Sequence, residues 1–154
     1  MKTSILSGGC VNLEELASRL GGEILNIGKP VKTVKQAVRE TKSAPKQIIK
    51  SLIFISEKEP LLVIVDGDSK VSLEKLKNIF GDVRLAKPKE VKELTGYEVG
   101  GIPPVGIALR TIVDPKVLEN DYVIGGGGSI DKLMKISPKK IVEHQRAEII
   151  DVSL

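Results

Sequence analysis

The sequence predicts an α/β protein of the α+β kind, in which helices surround a mixed, largely antiparallel sheet. Two apolar runs, residues 51–56 and 61–65, are separated by a short polar turn, as in a β-hairpin at the centre of a sheet. Strand-like segments outnumber those of a doubly wound sheet, and several are joined by short turns. With 154 residues the chain is long enough to bury a core, so we expect a single domain over residues 1–154.

The first elements along the chain are predicted from capping residues and periodicity. Asn12 precedes an amphipathic segment and can cap a helix that Gly21 ends. Residues 23–27 alternate as a strand does. Thr33 can cap a second helix, and Pro45 suits the first position of a short third one.

After the hairpin, two more helices enclose one short strand. Ser72 can cap a helix that ends at Gly81, and its apolar residues are Leu73, Leu76, Ile79 and Phe80. Residues 83–86 form the strand. Pro88 begins the second of these helices, which ends at Gly96, and we expect it to bury Val91, Leu94 and Thr95.

The last third of the chain contains four predicted strands and two helical segments. The strands are residues 106–109, 122–124, 130–136 and 147–152. One helical turn follows Asp114, and the last helix begins at Pro138. Gly125–Ser129 joins two of the strands, which favours a tight hairpin approached by a ligand or another backbone over a flexible linker.

Composition limits the classes of function. The chain is 41% hydrophobic and 29% charged, as expected of a globular protein, and no apolar run approaches the length of a membrane span. The first seven residues are too few and too polar for a secretory signal. Cys10 is the only cysteine, which excludes an intramolecular disulfide, favours a cytoplasmic location and leaves no nearby histidine to activate the thiol.

The charge balance permits a nucleic-acid partner without requiring one. The net charge is +4, and the chain has two Phe, two Tyr and no Trp. Because base stacking needs aromatic side chains, an RNA partner would be bound mainly through its phosphates.

Lys50 is the first candidate for chemistry. It lies between a short helix and a very apolar strand, where lysine is rare. An ammonium at the mouth of a strand can hold a carbonyl or a phosphate. The alternative is a lysine whose stem is buried while its ammonium stays in water.

Residues 95–107 form a second candidate, a loop rich in glycine and proline between a helix and a strand. Such a loop is conformationally restricted and can present backbone groups to a ligand. It can equally be an ordinary connection. Asp131 follows the glycine run and could orient Lys50 or a ligand amine, or it is a solvated charge.

Metal and triad chemistry have no sequence support. His144 is the only histidine, so a zinc site of recognisable spacing cannot be assembled with Cys10. No Gly-x-Ser-x-Gly elbow is present. If the protein is a hydrolase, we expect water or a group on the substrate to be the attacking nucleophile.

Four segments together resemble the YbaK family of aminoacyl-tRNA deacylases, which is related to the editing domain inserted in bacterial prolyl-tRNA synthetases. These segments are QIIKSLIF at 47–54, TGYEVGGIPPVG at 95–106, TIVD at 111–114 and YVIGG at 122–126. The resemblance covers residues 30–145. It implies a single YbaK-like α/β domain that hydrolyses an amino acid wrongly esterified to tRNA.

The resemblance also implies roles for particular residues. Lys50 matches a lysine that the family needs for activity, and the loop of Gly100, Gly101 and Pro104 matches the one that shapes the amino-acid pocket. The pair Gly125 and Gly126 and the acidic Asp131 match further positions of the substrate site. The implied partners are the acceptor end of an aminoacyl-tRNA and possibly prolyl-tRNA synthetase, with no membrane, metal or cofactor.

Two other hypotheses remain open at this stage. Ile124 stands where some family members have serine, which leaves room for an inactive module that only binds tRNA or a synthetase. A nucleotide-phosphate binder built on Gly125–Gly128 is the other. The run does not match Gly-x-Gly-x-x-Gly, because Ile130 occupies its sixth position.

Overall fold

The computed structural model describes residues 12–154, which form five α-helices and eight β-strands. The helices are α1 (Leu13–Arg19), α2 (Val34–Thr41), α3 (Leu73–Phe80), α4 (Pro88–Thr95) and α5 (Pro138–Gln145). The strands are β1 (Glu23–Asn26), β2 (Ile49–Ser56), β3 (Pro60–Asp66), β4 (Val83–Leu85), β5 (Arg110–Val113), β6 (Val123–Gly126), β7 (Lys132–Ile136) and β8 (Glu148–Ile149). Short 3₁₀ helices span Pro45–Gln47 and Pro115–Glu119. The expectations for Cys10 and for the first residues of the chain lie outside the described residues.

The strands form two sheets. The larger has the order β4-β2-β3-β5-β8, and the smaller has the order β1-β7-β6. The pairs β3–β5 and β5–β8 are parallel, and the other pairs are antiparallel. The predicted mixed, largely antiparallel α/β architecture is therefore confirmed, but the strands divide between two sheets. An isolated bridge between Ile48 and Ile124 connects them.

The β2–β3 hairpin is at the centre of the larger sheet, as predicted. Its register pairs Lys50 with Val65 and Ile53 with Leu62. Residues 61–65 of β3 have no solvent exposure, because apolar clusters cover both faces of the strand. This buried hairpin fixes the direction in which Lys50 leaves the sheet.

The predicted helix ends are confirmed where capping residues marked them. The Asn12 side chain accepts a hydrogen bond of 3.1 Å from the Glu15 amide. Thr33 and Gln36 form a reciprocal capping box at the start of α2. Gly96 ends α4 in the left-handed region. None of the helices in the described part of the chain has the length and apolar composition needed to cross a membrane.

Two predicted strands differ from the structure. Residues 106–109 are irregular, and β5 begins at Arg110. The reason is that the Gln145 side chain donates to the Ile107 carbonyl at 2.7 Å and accepts from the Ile107 amide at 3.2 Å. These two bonds take the place of hydrogen bonds to a neighbouring strand. The final strand is only Glu148–Ile149, because the Val152 amide bonds the Asp114 carboxylate.

Two helices bury narrower faces than predicted. On α4, Val91 and Thr95 are buried, but Leu94 is 39% exposed. On α3, Leu76 is buried while Leu73 and Ile79 are each 47% exposed. Both helices are only eight residues long, and each has no more than two buried residues.

The loop that precedes β5 packs directly on β6. A Cβ added to Gly126 would overlap the Ile102 carbonyl oxygen, and the Gly128 amide donates to the Gly101 carbonyl at 2.9 Å. Backbone therefore meets backbone at this point. Only glycine permits so close an approach.

We expect Gly126→Ala to destabilise the protein by about 1–3 kcal/mol, because the added methyl group meets a backbone oxygen that cannot rotate away. Gly125→Ala is the matched control. Its methyl group would lie 3.1 Å from Ile49 Cδ1 and 3.4 Å from Pro104 Cδ, which are side-chain atoms. Urea unfolding of both variants measures the difference. Equal losses of unfolding free energy would contradict the backbone contact.

Candidate functional site

A cleft of about 210 Å³ lies where the two sheets separate. Its walls are the start of α2, the first half of β2, the loop at Val99–Ile102 and the end of β6. On the side of β2 that faces away from β3, only Phe54–Ser56 pair with β4. On that side residues 50–52 have no partner strand among the described residues, and they border the cleft. The cleft is therefore built against an open strand edge.

The floor of the cleft is apolar. It is formed by a small buried cluster of Val31, Ala37, Ile48, Ile124 and Leu133. Such a floor favours an apolar group or a short side chain. Among residues 12–154, the lining contains no histidine, cysteine or carboxylate.

Lys50 lies at one side of this cleft and is partly buried. Its ammonium donates a hydrogen bond to the Ser69 carbonyl, in the turn that follows β3. Burial lowers the pKa of Lys50, and the nearby Asp66 carboxylate acts in the opposite direction. Lys70 adds to the lowering, and Asp68 opposes it more weakly.

Asp66 was not predicted from the sequence as a site residue. It is the last residue of β3, it is 2% exposed, and its Oδ1 atom has no hydrogen-bond partner among the described residues. A buried carboxylate with so few partners is costly unless a cation is near. The only available signal was an acid directly after a fully apolar strand.

In the glycine-proline loop of residues 95–107, Gly100 and Gly101 lie in a tight turn. The Gly101 amide donates to the Glu98 carbonyl at 3.0 Å, and Gly100, in the third position of this turn, has φ of +91°. That position of a type II turn requires glycine. The Gly101 amide is therefore engaged within the protein, whereas the Gly100 amide has no acceptor among residues 12–154.

The structure brings together four of the seven predicted site residues. Lys50, Gly100, Gly125 and Gly126 line the cleft. Gly101 and Pro104 are buried behind its wall, where Pro104 packs near Gly125.

Asp131 does not line the cleft. Its carboxylate accepts a hydrogen bond of 2.7 Å from the Ser129 hydroxyl in the turn between β6 and β7, and this bond lowers its pKa. The carboxylates that act on Lys50 are Asp66 and Asp68.

The glycine run itself offers little to a phosphate. The Gly127 amide donates to the Lys132 carbonyl at 3.1 Å, and the Gly128 amide donates to Gly101. These bonds make the predicted hairpin and use the amides that a phosphate loop would need free. In the described part of the chain, no group of three or more His, Cys, Asp or Glu residues is arranged to hold a metal ion.

A second polar group also borders the cleft. The Ser51 hydroxyl is buried and has no hydrogen-bond partner among the described residues. The sequence placed Ser51 in a buried strand and gave no indication that its hydroxyl would be unpaired.

Comparisons with known proteins agree on one family. Residues 28–143 match the family model described as the aminoacyl-tRNA editing domain. The uncharacterized protein YwhH of Bacillus subtilis is 33% identical over 125 residues, which cover 78% of this chain and 80% of that protein. The crystal structure of a candidate trans-editing enzyme for prolyl tRNA synthetase has a TM-score of 0.84 and 31% identity, over 91% of each chain.

The chain also resembles part of a much longer enzyme. A proline–tRNA ligase of Desulfotalea psychrophila is 36% identical over 85 residues, which cover 53% of this chain but only 15% of the ligase. Because the residues that match the family model make up most of the sequence, this chain belongs to the aminoacyl-tRNA editing domain family.

Proposed function

We propose that this protein is a cytoplasmic trans-editing deacylase that hydrolyses the ester of a mischarged aminoacyl-tRNA. The substrate we propose is tRNA-Pro carrying cysteine, alanine or another small amino acid. The observation that carries the proposal is the cleft, which joins Lys50 to the backbone of Gly100, Gly125 and Gly126 around a small apolar floor. Family membership and the likeness to a candidate trans-editing enzyme support it.

The size of the cleft favours a small aminoacyl group. A volume of about 210 Å³ is below the range of most ligand pockets, which begins at roughly 300 Å³. An aminoacyl group too large for this volume would have to displace the buried cluster beneath it. Exclusion by size is an effective filter against larger amino acids.

The chemistry that we propose is mainly positioning. The Lys50 ammonium holds the ester carbonyl or the terminal phosphate, and the Gly100 amide can donate to the oxyanion as it forms. Water attacks the carbonyl carbon, the bond from that carbon to the tRNA ribose oxygen breaks, and the ribose oxygen leaves as a hydroxyl with a proton from the attacking water. Because the described lining residues include no histidine or carboxylate, we expect solvent or a group on the substrate to carry this proton. Because an aminoacyl ester is already activated, positioning alone can supply much of the acceleration of its hydrolysis.

The alternative is a catalytically inactive module that binds tRNA or a synthetase. Ile124 in the cleft floor, where some family members have serine, is the observation that favours it. The partly buried ammonium in the same cleft favours the enzyme, because docking alone does not require a desolvated lysine.

The experiment that separates these functions is a deacylation panel. The purified protein is incubated at low salt with tRNA-Pro charged with alanine, cysteine, serine or proline. We expect one small non-proline ester to be hydrolysed well above the uncatalysed rate while prolyl-tRNA is spared. Binding of tRNA without hydrolysis of any ester would favour the inactive module.

We expect Lys50→Ala to reduce kcat/KM for deacylation by about 100- to 1,000-fold, the effect typical of one electrostatic contact to a transition state. Lys58→Ala removes an exposed lysine in the β2–β3 turn and is the control for loss of charge. Single-turnover deacylation measures both variants. Unchanged activity of the Lys50 variant would remove this residue from the mechanism.

We also expect Asp66 to set the alkaline limit of activity. Burial already lowers the pKa of Lys50, so activity is lost as the pH rises through that value. Asp66→Asn removes the carboxylate that most opposes the lowering, so the pKa falls further and the alkaline limb moves to lower pH. Asp68→Asn, at an exposed position with a weaker effect, gives a smaller shift.

The measurement is kcat/KM as a function of pH, corrected for uncatalysed ester hydrolysis. An alkaline limb at the same pH in the wild type and in the Asp66 variant would show that this carboxylate does not act on Lys50.

A further inference from the structure

The Ser51 hydroxyl is an unusual group within the cleft. Its oxygen is buried and has no hydrogen-bond partner among the described residues, in a lining that is otherwise mostly apolar. Buried hydroxyls in proteins are normally paired, because an unpaired one loses its hydrogen bonds to water without replacement. Nothing in the described fold therefore uses this hydroxyl.

The other polar side chains along the cleft have partners or reach solvent. The Thr33 hydroxyl accepts a hydrogen bond of 3.1 Å from the Gln36 amide and caps α2. The Lys50 ammonium donates to the Ser69 carbonyl. Lys32 is exposed. Among the lining residues that the structure describes, Ser51 is thus the one whose buried polar atom has no partner within the protein.

Ser51 and Lys50 are suited to contact different parts of one ligand. Neighbouring side chains of a strand point to opposite faces, and Ser51 pairs across the hairpin with Ile64 while Lys50 pairs with Val65. Ile64 and Val65 belong to different apolar clusters, on the two faces of the sheet. A ligand lying across the open edge of β2 therefore meets the ammonium with one end and the hydroxyl with the other.

We propose that Ser51 determines substrate specificity by hydrogen bonding to the side-chain hydroxyl of a small aminoacyl group, so that the cleft prefers seryl over alanyl esters. This inference rests on the proposed deacylase function. An alanyl methyl group cannot form a hydrogen bond with the Ser51 hydroxyl, whereas a seryl hydroxyl can both donate and accept one. Discrimination by a site built to bond a hydroxyl is stronger than discrimination by size.

The test uses two analogues that cannot be hydrolysed, 3′-amino-3′-deoxyadenosine carrying a seryl or an alanyl group in amide linkage. Calorimetry gives the dissociation constant of each. For the wild type we expect the seryl analogue to bind at least tenfold more tightly, which corresponds to about 1.4 kcal/mol. For Ser51→Ala we expect the two constants to agree within about twofold, since the hydrogen bond is lost.

Ser56→Ala is the matched control on the same strand. The Ser56 hydroxyl lies outside the cleft and donates to the Glu59 carbonyl at 2.6 Å. We expect this variant to keep the seryl preference but to melt at a lower temperature. Ser51→Ala should melt no lower than the wild type, because its hydroxyl has no partner to lose.

The outcomes separate the two proposals. Equal binding of both analogues by the wild type, or the same preference in Ser51→Ala, overturns the role of Ser51 while the deacylase function stands. If neither analogue binds the wild type and no ester is hydrolysed, the proposed function fails and this inference fails with it. A lower melting temperature of Ser51→Ala with an unchanged ratio would show a structural role instead.

Discussion

The contact between β6 and the glycine-proline loop is the constraint on which the candidate site depends. At Gly126 the backbone of β6 lies against the carbonyl of Ile102. Next to this contact, the Gly128 amide donates a hydrogen bond to the Gly101 carbonyl. A side chain at Gly126 would push these backbones apart. Because residue 126 is glycine, the loop can lie close to β6 and form one wall of the cleft between the two sheets.

Lys50 is held by opposing influences rather than by one strong partner. In the central hairpin Lys50 pairs with Val65. Burial disfavours the charged form of Lys50, whereas the Asp66 carboxylate favours the charged form. The ammonium meanwhile bonds a backbone carbonyl, which is weaker than an ion pair and easier to exchange for a ligand oxygen. Such a lysine is not committed to a structural salt bridge.

The apolar and polar parts of the cleft lie in different places. Its floor is a small apolar cluster, and two of its few polar side chains, Lys50 and Ser51, lie at the open edge of β2. Because the described lining residues include no histidine, cysteine or carboxylate, the site is better suited to positioning a ligand than to generating a nucleophile. This division is consistent with membership of the aminoacyl-tRNA editing domain family.

The sequence by itself determined the local structure, since caps such as Asn12, Thr33 and Gly96 and the apolar runs of the hairpin act over a few residues. It also indicated Lys50 and the glycine loop. Only the tertiary structure decided that the strands divide into two sheets, that Asp131 lies apart from the cleft, and that Asp66 acts on Lys50 instead. The same holds for Gln145, which replaces the strand expected before Arg110. These features depend on residues far apart in the chain, whose contacts no local pattern records.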